Sequence, residues 1–319
     1  MTLKCAILDD YQGVALSMAD WSALGEQVAV FSLREPITDE AQLVKRIADC
    51  DIVVIMRERT PFTAALLRRL PKLKLLITSG MRNAAIDLPA ATRQGITVCG
   101  TASGSEAPTE LTWALILGLA RHLVLENRGL RDNGPWQQSV GITLHGKTLG
   151  LLGLGKIGSQ MAKVAQAFGM NVVAWSQNLT PERAQAFGVQ LASSKQALLA
   201  ASDVVSVHLV LSDRSRGMID RQALAQMKSS AFLINTSRAA IVDQAALIEA
   251  LQTGQIAGAG LDVFDVEPLP ADHPLRSLPN VLATPHLGYV ADDNYHTYFR
   301  EAIADIQAFI AGEPVRKLS

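Results

Sequence analysis

The chain has 319 residues, enough for about two domains at roughly 150 residues each. Its 29 Lys and Arg against 30 Asp and Glu leave a net charge of −1, with 18% of residues charged and 49% apolar. That balance excludes the broad basic field of a non-specific nucleic-acid binder and the polybasic run that seeks an anionic membrane.

Three scattered cysteines, Cys5, Cys50 and Cys99, make neither a disulfide framework nor a zinc-ligand set, and they fit a reducing cytoplasm. The apolar start of the chain runs into Asp9 and Asp10 too soon to be a signal-peptide core. The apolar run from Leu111 reaches Arg121, short of the roughly 18 residues needed to cross a bilayer.

In chain order, Leu3–Leu8, Val28–Phe31, Asp51–Met56, Leu73–Thr78 and Ile96–Val98 read as strands, and Met18–Leu24, Glu40–Ala48, Phe62–Leu70 and Leu88–Arg93 as helices between them. Strands that are apolar throughout, rather than alternating, belong to parallel sheets covered on both faces. The small-residue stretch Gly100–Ser105 interrupts the rhythm, and a long apolar helix is predicted from Pro108 to Leu125. A second series follows, with strands at Thr148–Leu152, Asn171–Trp175, Asp203–Val207, Ala231–Asn235, Ile256–Leu261 and Val281–Ala283, and a last helix over Ala291–Ile310 that should return to the first domain. The expected fold is α/β: two Rossmann-like doubly wound domains, 1–102 plus 290–319 and 103–289, with an interdomain active-site cleft.

Two stretches carry phosphate-binding patterns. Gly141–Thr148 matches the phosphate loop of nucleotide hydrolases letter for letter, but it runs into a strand where a true phosphate loop opens a helix, so that reading fails. Gly153-Leu154-Gly155-Lys156-Ile157-Gly158 instead follows a strand and opens a helix. Gly153 permits the tight turn, Gly155 admits a pyrophosphate to the backbone, and Gly158 lets helix and strand pack closely. The acid expected about 20 residues on, at the ribose, is absent: Ser176 stands there, followed by Gln177 and Asn178. The cofactor expectation is therefore NAD, with NADP left open.

Three later segments place charge among apolar residues at strand ends: Asn235–Arg238, Leu261–Pro268 and Thr284–Gly288. With Leu73–Asp87, Lys147–Gly169 and Val204–Ile219, they resemble the signature regions of the D-isomer-specific 2-hydroxyacid dehydrogenases, and the resemblance covers essentially the whole chain. It implies hydride transfer between NAD(P)H and the carbonyl of a 2-oxo acid, giving a D-2-hydroxy acid. In that role Arg238 grips the substrate, His286 passes the proton and Glu267 holds His286. Asp262 would bind the nicotinamide carboxamide, and His208 and Thr236 would line the cofactor pocket with Gly153, Gly155, Lys156, Ile157, Gly158 and Ser176. The chemistry agrees on its own terms, since a guanidinium and an imidazolium suit the negative charge that develops on a reduced carbonyl oxygen. His122, His145, His273 and His296 read as structural.

Where the family has a second glycine in the loop after the fourth strand, this chain has Arg82 in the run Ser79–Asp87, with Gly80 retained. Gly80 and Arg82 are the expected substrate contacts there, and Arg57 after the third strand is a further candidate. The expected partners are a small 2-oxo or 2-hydroxy acid and a second copy of the chain, docked through the apolar Pro108–Leu125 helix, with neither nucleic acid nor membrane. The alternative reading is a dinucleotide-sensing scaffold of the corepressor type with little turnover, which the joint presence of Arg238, Glu267 and His286 disfavours.

Overall fold

A computed structural model describes residues 2–318. They form two compact units: a split one, running up to Gly104 and resuming at Val290, and a continuous one, Ser105–Tyr289.

The split unit is built on strands β1 (Leu3–Ile7), β2 (Val28–Ser32), β3 (Ile52–Ile55), β4 (Leu75–Thr78) and β5 (Thr97–Gly100), all parallel, in the order β2-β1-β3-β4-β5. Every residue of β3 and β4 is buried, as the unbroken aliphatic runs require of strands covered on both faces. One side is filled by Leu43, Ile47, Leu66, Leu67, Leu70 and Leu76 among others. The last helix, Asp292–Ile310, joins this unit: His296 Nδ1 lies 2.6 Å from the Met18 carbonyl, and Phe299 packs on Trp21 with ring centroids 6.1 Å apart.

The continuous unit carries β6 (Thr148–Leu152), β7 (Asn171–Trp175), β8 (Gln190–Leu191), β9 (Val204–Val207), β10 (Phe232–Asn235), β11 (Gly258–Leu261) and β12 (Val281–Ala283), again all parallel, in the order β12-β11-β10-β9-β6-β7-β8. The order reverses between β9 and β6. That is where a doubly wound sheet opens a crevice at the carboxyl ends of its strands.

The elements depart from the sequence expectation in four places. β8 is a seventh strand, two residues long at a sheet edge, too short to leave a pattern. The helix expected over Met18–Leu24 is instead a 3-10 segment, Trp21–Gln27, capped by Asp20 and broken at Gly25, whose φ is +57°. The helix expected over Phe62–Leu70 is confined to Ala64–Arg68, with Thr63 accepting from the Leu66 amide as its cap.

The long helix expected over Pro108–Leu125 is two helices, Glu106–Ala120 and Leu123–Arg131, with His122 between them at φ +51°. The break has a physical cause: the returning chain donates the Ile142 amide to the Ala120 carbonyl at 2.8 Å. Only a glycine lets the chain approach so closely, because a Cβ on Gly141 would sit 2.7 Å from that carbonyl. The other glycine of the phosphate-loop look-alike, Gly146, turns the chain at φ +74° into β6. Both glycines thus have structural uses, and no helix opens there.

The apolar surface of Glu106–Ala120 is also mostly covered within its own unit. Trp113, Leu115, Ile116 and Leu119 are buried, and Gly118 and Gly260 admit the close packing against β12 and β11. The exposed apolar residues lie beyond it, at Leu123, Val124, Leu125 and Leu130. No helix among the described residues is long and apolar enough to cross a membrane.

Candidate active site

In the continuous unit the chain leaves β6 through Gly153 at φ +101°, where a Cβ would lie 2.5 Å from the His208 carbonyl oxygen. The Gly153 amide donates to the Trp175 carbonyl at 2.9 Å, and the His208 amide to the Leu152 carbonyl at 2.8 Å. A Cβ at Gly158 would come within 2.2 Å of the Gly153 carbonyl, so strand and helix touch only because no side chain is present. Gly155 is different: a Cβ there would meet nothing within 4 Å. It stands at the N-terminus of helix Lys156–Ala167 and offers no side-chain cap. First-turn amides left uncapped beside open space suit an anionic pyrophosphate, so the loop fits a dinucleotide.

The neighbouring strand ends add the remaining cofactor candidates. Ser176 follows β7, half-buried, with its carbonyl accepting from the Leu179 amide. His208 follows β9, its Nε2 2.8 Å from Ser206 Oγ, and burial pushes its imidazole down to about 4, so the ring is neutral at pH 7. Thr236, after β10, shares a 2.8 Å hydrogen bond between hydroxyls with Thr112 of helix Glu106–Ala120.

Arg238 is half-buried at the end of the same loop, and its Nη1 donates to the Ser237 carbonyl at 2.8 Å. The loop is braced by Asn235, whose side chain donates to the Arg238 carbonyl and accepts from the Ser237 amide. Sequence reasoning missed Asn235 as a functional residue, although an Asn ending a strand before a polar turn is the sequence sign of such a brace.

After β11 comes Asp262, wholly buried. The resemblance assigns it to the nicotinamide, and in the structure its carboxylate also organises the turn that carries His286. Its Oδ1 accepts from Thr284 Oγ1 at 2.6 Å and the Leu287 amide at 2.7 Å, and its Oδ2 from the Gly288 amide at 2.8 Å. Three of about four lone-pair positions are thereby filled. Burial pushes its carboxyl above the usual range, while Thr284, the two amides and His286 pull it back. The turn needs such anchoring, because His286 sits at φ +55°, a conformation few residues other than glycine adopt readily.

His286 then presents Nδ1 to Glu267 Oε2 at 2.6 Å, and Glu267 Oε1 accepts from the Phe264 amide at 2.9 Å. Tyr289 packs edge-on against the imidazole with centroids 5.4 Å apart. With Nδ1 committed to the carboxylate, Nε2 is the nitrogen left to handle a proton.

In the split unit, Gly80 adopts φ +90° and donates its amide to Thr101 Oγ1 at 3.1 Å, so that amide is already satisfied. Arg82 is exposed. The guanidinium lying against Gly80 is that of Arg57, since a Cβ on Gly80 would sit 2.5 Å from its Nη1. Asp87 caps helix Leu88–Arg93 by accepting from the Ala90 amide. The other histidines have local partners: His273 Nδ1 accepts from the Leu275 amide, and the His145 ring packs against Gly169.

Residues 113–288 match the model of the D-isomer specific 2-hydroxyacid dehydrogenase NAD binding domain. The chain is 38% identical to the D-3-phosphoglycerate dehydrogenase of Methanocaldococcus jannaschii, over 82% of this chain and 50% of that one. It is also 38% identical to the glyoxylate reductase of Aeropyrum pernix, over 78% of this chain and 76% of that one. A crystal structure of a phosphoglycerate oxidoreductase from Vibrio cholerae superposes with a TM-score of 0.92 at 40% identity, covering 98% of this chain and 100% of the other. The chain spans about half the length of the curated phosphoglycerate dehydrogenases it matches.

Proposed function

The chain belongs to the D-isomer-specific 2-hydroxyacid dehydrogenases, and from that premise we propose that it reduces the carbonyl of a 2-oxo acid with NAD(P)H to a D-2-hydroxy acid. The observation that carries this reading is the 2.6 Å hydrogen bond between His286 and Glu267, on a turn fixed by the buried Asp262. When bound, the nicotinamide cofactor supplies the hydride. The glycine loop Gly153–Gly158 takes its pyrophosphate at the helix amides, and Ser176, His208 and Thr236 line the same sheet crevice.

The protein's part in the reaction is electrostatic and protonic. Arg238 stabilises the charge that grows on the carbonyl oxygen, and His286 Nε2 delivers the proton to that oxygen while Glu267 keeps the ring in register. In this reading the continuous unit is the dinucleotide-binding domain and the split unit the substrate domain. The enzyme works in the cytoplasm, in keeping with three free, buried thiols. It forms a homodimer using the exposed Leu123, Val124, Leu125 and Leu130, which sedimentation velocity at micromolar concentration reads directly.

A steady-state screen tests the activity: glyoxylate, pyruvate, hydroxypyruvate, bulkier 2-oxo acids and 3-phosphohydroxypyruvate, each with NADH and NADPH. The expected result is cofactor oxidation that requires a 2-oxo acid. Binding of NAD(P)H with no oxidation across the panel overturns the reading.

A further inference from the structure

Arg57 leaves β3 at φ +51°, a left-handed conformation that an arginine does not hold without outside support. The support comes from the loop after β4, on both sides of the Arg57 backbone. The Arg57 amide donates to Ser79 Oγ at 3.0 Å, and the Arg57 carbonyl accepts from Asn83 Nδ2 at 2.6 Å. Asn83 is itself buried with both N–H donors in use: Nδ2 also donates to Thr78 Oγ1 at 2.9 Å, and Oδ1 accepts from the Ala85 amide at 2.9 Å.

This grip has a consequence for the side chain. With its backbone turned left-handed, Arg57 lays its guanidinium across Gly80, so close that a Cβ there would sit 2.5 Å from Nη1 and the guanidinium would have to move aside. Glu58 lies 3.6 Å from Arg57 Nε, and Tyr298 stands beside the same guanidinium. The Gly80 amide is meanwhile held by Thr101. The loop therefore offers an anion a positioned guanidinium where a simple glycine loop would offer its first amide.

We infer that Asn83 and Ser79 are positioning residues: they clamp Arg57 so that its guanidinium, rather than Arg82 or the Gly80 amide, receives the carboxylate of the 2-oxo acid. This rests on the 2-oxo acid reading above. Neither Asn83 nor Ser79 need touch the substrate. Their loss should let the Arg57 backbone relax and swing the guanidinium away from Gly80.

The test is a double-mutant cycle on Arg57→Ala and Asn83→Ala, read by the kinetics of the best 2-oxo acid and by calorimetry with oxalate, a carboxylate probe that needs no turnover, on cofactor-loaded protein. Asn83→Ala should raise KM and weaken oxalate about tenfold, with kcat and NAD(P)H affinity within about twofold. In the Arg57→Ala background the same substitution should change neither KM nor oxalate affinity, a silence that a merely structural role would not produce. Asn83→Asp, which keeps the acceptor and loses the donor, should behave as Asn83→Ala does. Ser79→Ala, with thermal melts beside it, is the second arm should Asn83→Ala fail to fold.

An Asn83→Ala effect that persists without Arg57, a fall in kcat at constant KM, or an unchanged KM overturns the clamp. Failure of the oxidation assay alone counts against the 2-oxo acid reading, because the oxalate arm still reports on the clamp; a wild-type protein that binds no oxalate overturns it too.

Discussion

Two loops at the carboxyl ends of parallel strands, one after β6 and one after β4, dispose of their backbone donors in opposite ways. The loop after β6 keeps its backbone donors available: Gly155 faces open space, and the helix behind it starts without a side-chain cap. The loop after β4 satisfies itself, with the Gly80 amide on Thr101, the Ala85 amide on Asn83 and a neighbouring helix capped by Asp87. The first can meet a phosphate with main chain alone, and the second has already committed its Gly80 amide to Thr101. A glycine in such a loop is therefore not evidence of an anion-binding amide until its hydrogen-bond partner is known.

The comparison breaks first at the chemistry. His286→Ala should lower the rate of 2-oxo acid reduction about 10³-fold, within the usual span of about 10²–10⁴ for a general acid, while NAD(P)H affinity stays within about twofold. Stopped-flow oxidation and fluorescence titration read the two quantities. A variant at wild-type rate would remove His286 from the mechanism.

Next come the glycines. Gly155→Ala adds a Cβ into open space at an ordinary φ, so stability should move by no more than about 0.5 kcal/mol, yet cofactor affinity should fall about tenfold. Gly80→Ala must hold φ +90° and displace Arg57, and should cost about 1–3 kcal/mol in denaturant melts with cofactor affinity unchanged. The opposite assignment of effects would mean that the two loops had been distinguished wrongly.

A separate readout is the pH dependence of stability, where the two units should slope oppositely. In the split unit, burial pushes the Asp305 carboxyl up to about 7 despite its 2.9 Å contact with Arg316, against 3.8 for an ordinary aspartate. The folded chain then holds a proton that the unfolded chain has released, so this contribution to stability falls as pH rises from about 4 to about 7. In the continuous unit, His208 is pushed down to about 4 from 6.5, and its contribution falls as pH drops from about 6.5 to about 4. Denaturation midpoints across this range should lose the first slope in Asp305→Asn and the second in His208→Asn. Curves parallel to wild type would remove either assignment.

Much of this was legible in the sequence, because it depends on local order. Unbroken aliphatic runs marked the parallel strands, and strand, glycines and helix in succession separated Gly153–Gly158 from the look-alike Gly141–Thr148. The types and order of Arg238, Glu267 and His286 carried the family resemblance. What stayed hidden depends on partners far along the chain. The Ala120 carbonyl ends its helix because Ile142 returns to it, and Asp262 serves the turn of His286 through three bonds made some 25 residues away. Arg57 and Arg82 both stand out in the sequence as loop cations, and only the fold brings Arg57 against Gly80. The sequence by itself determined which groups the protein has and on which strand ends they sit, since periodicity and turn chemistry act over a few residues. Tertiary structure alone decided which donors are already satisfied and which remain for a ligand, since that is settled by hydrogen bonds across strands.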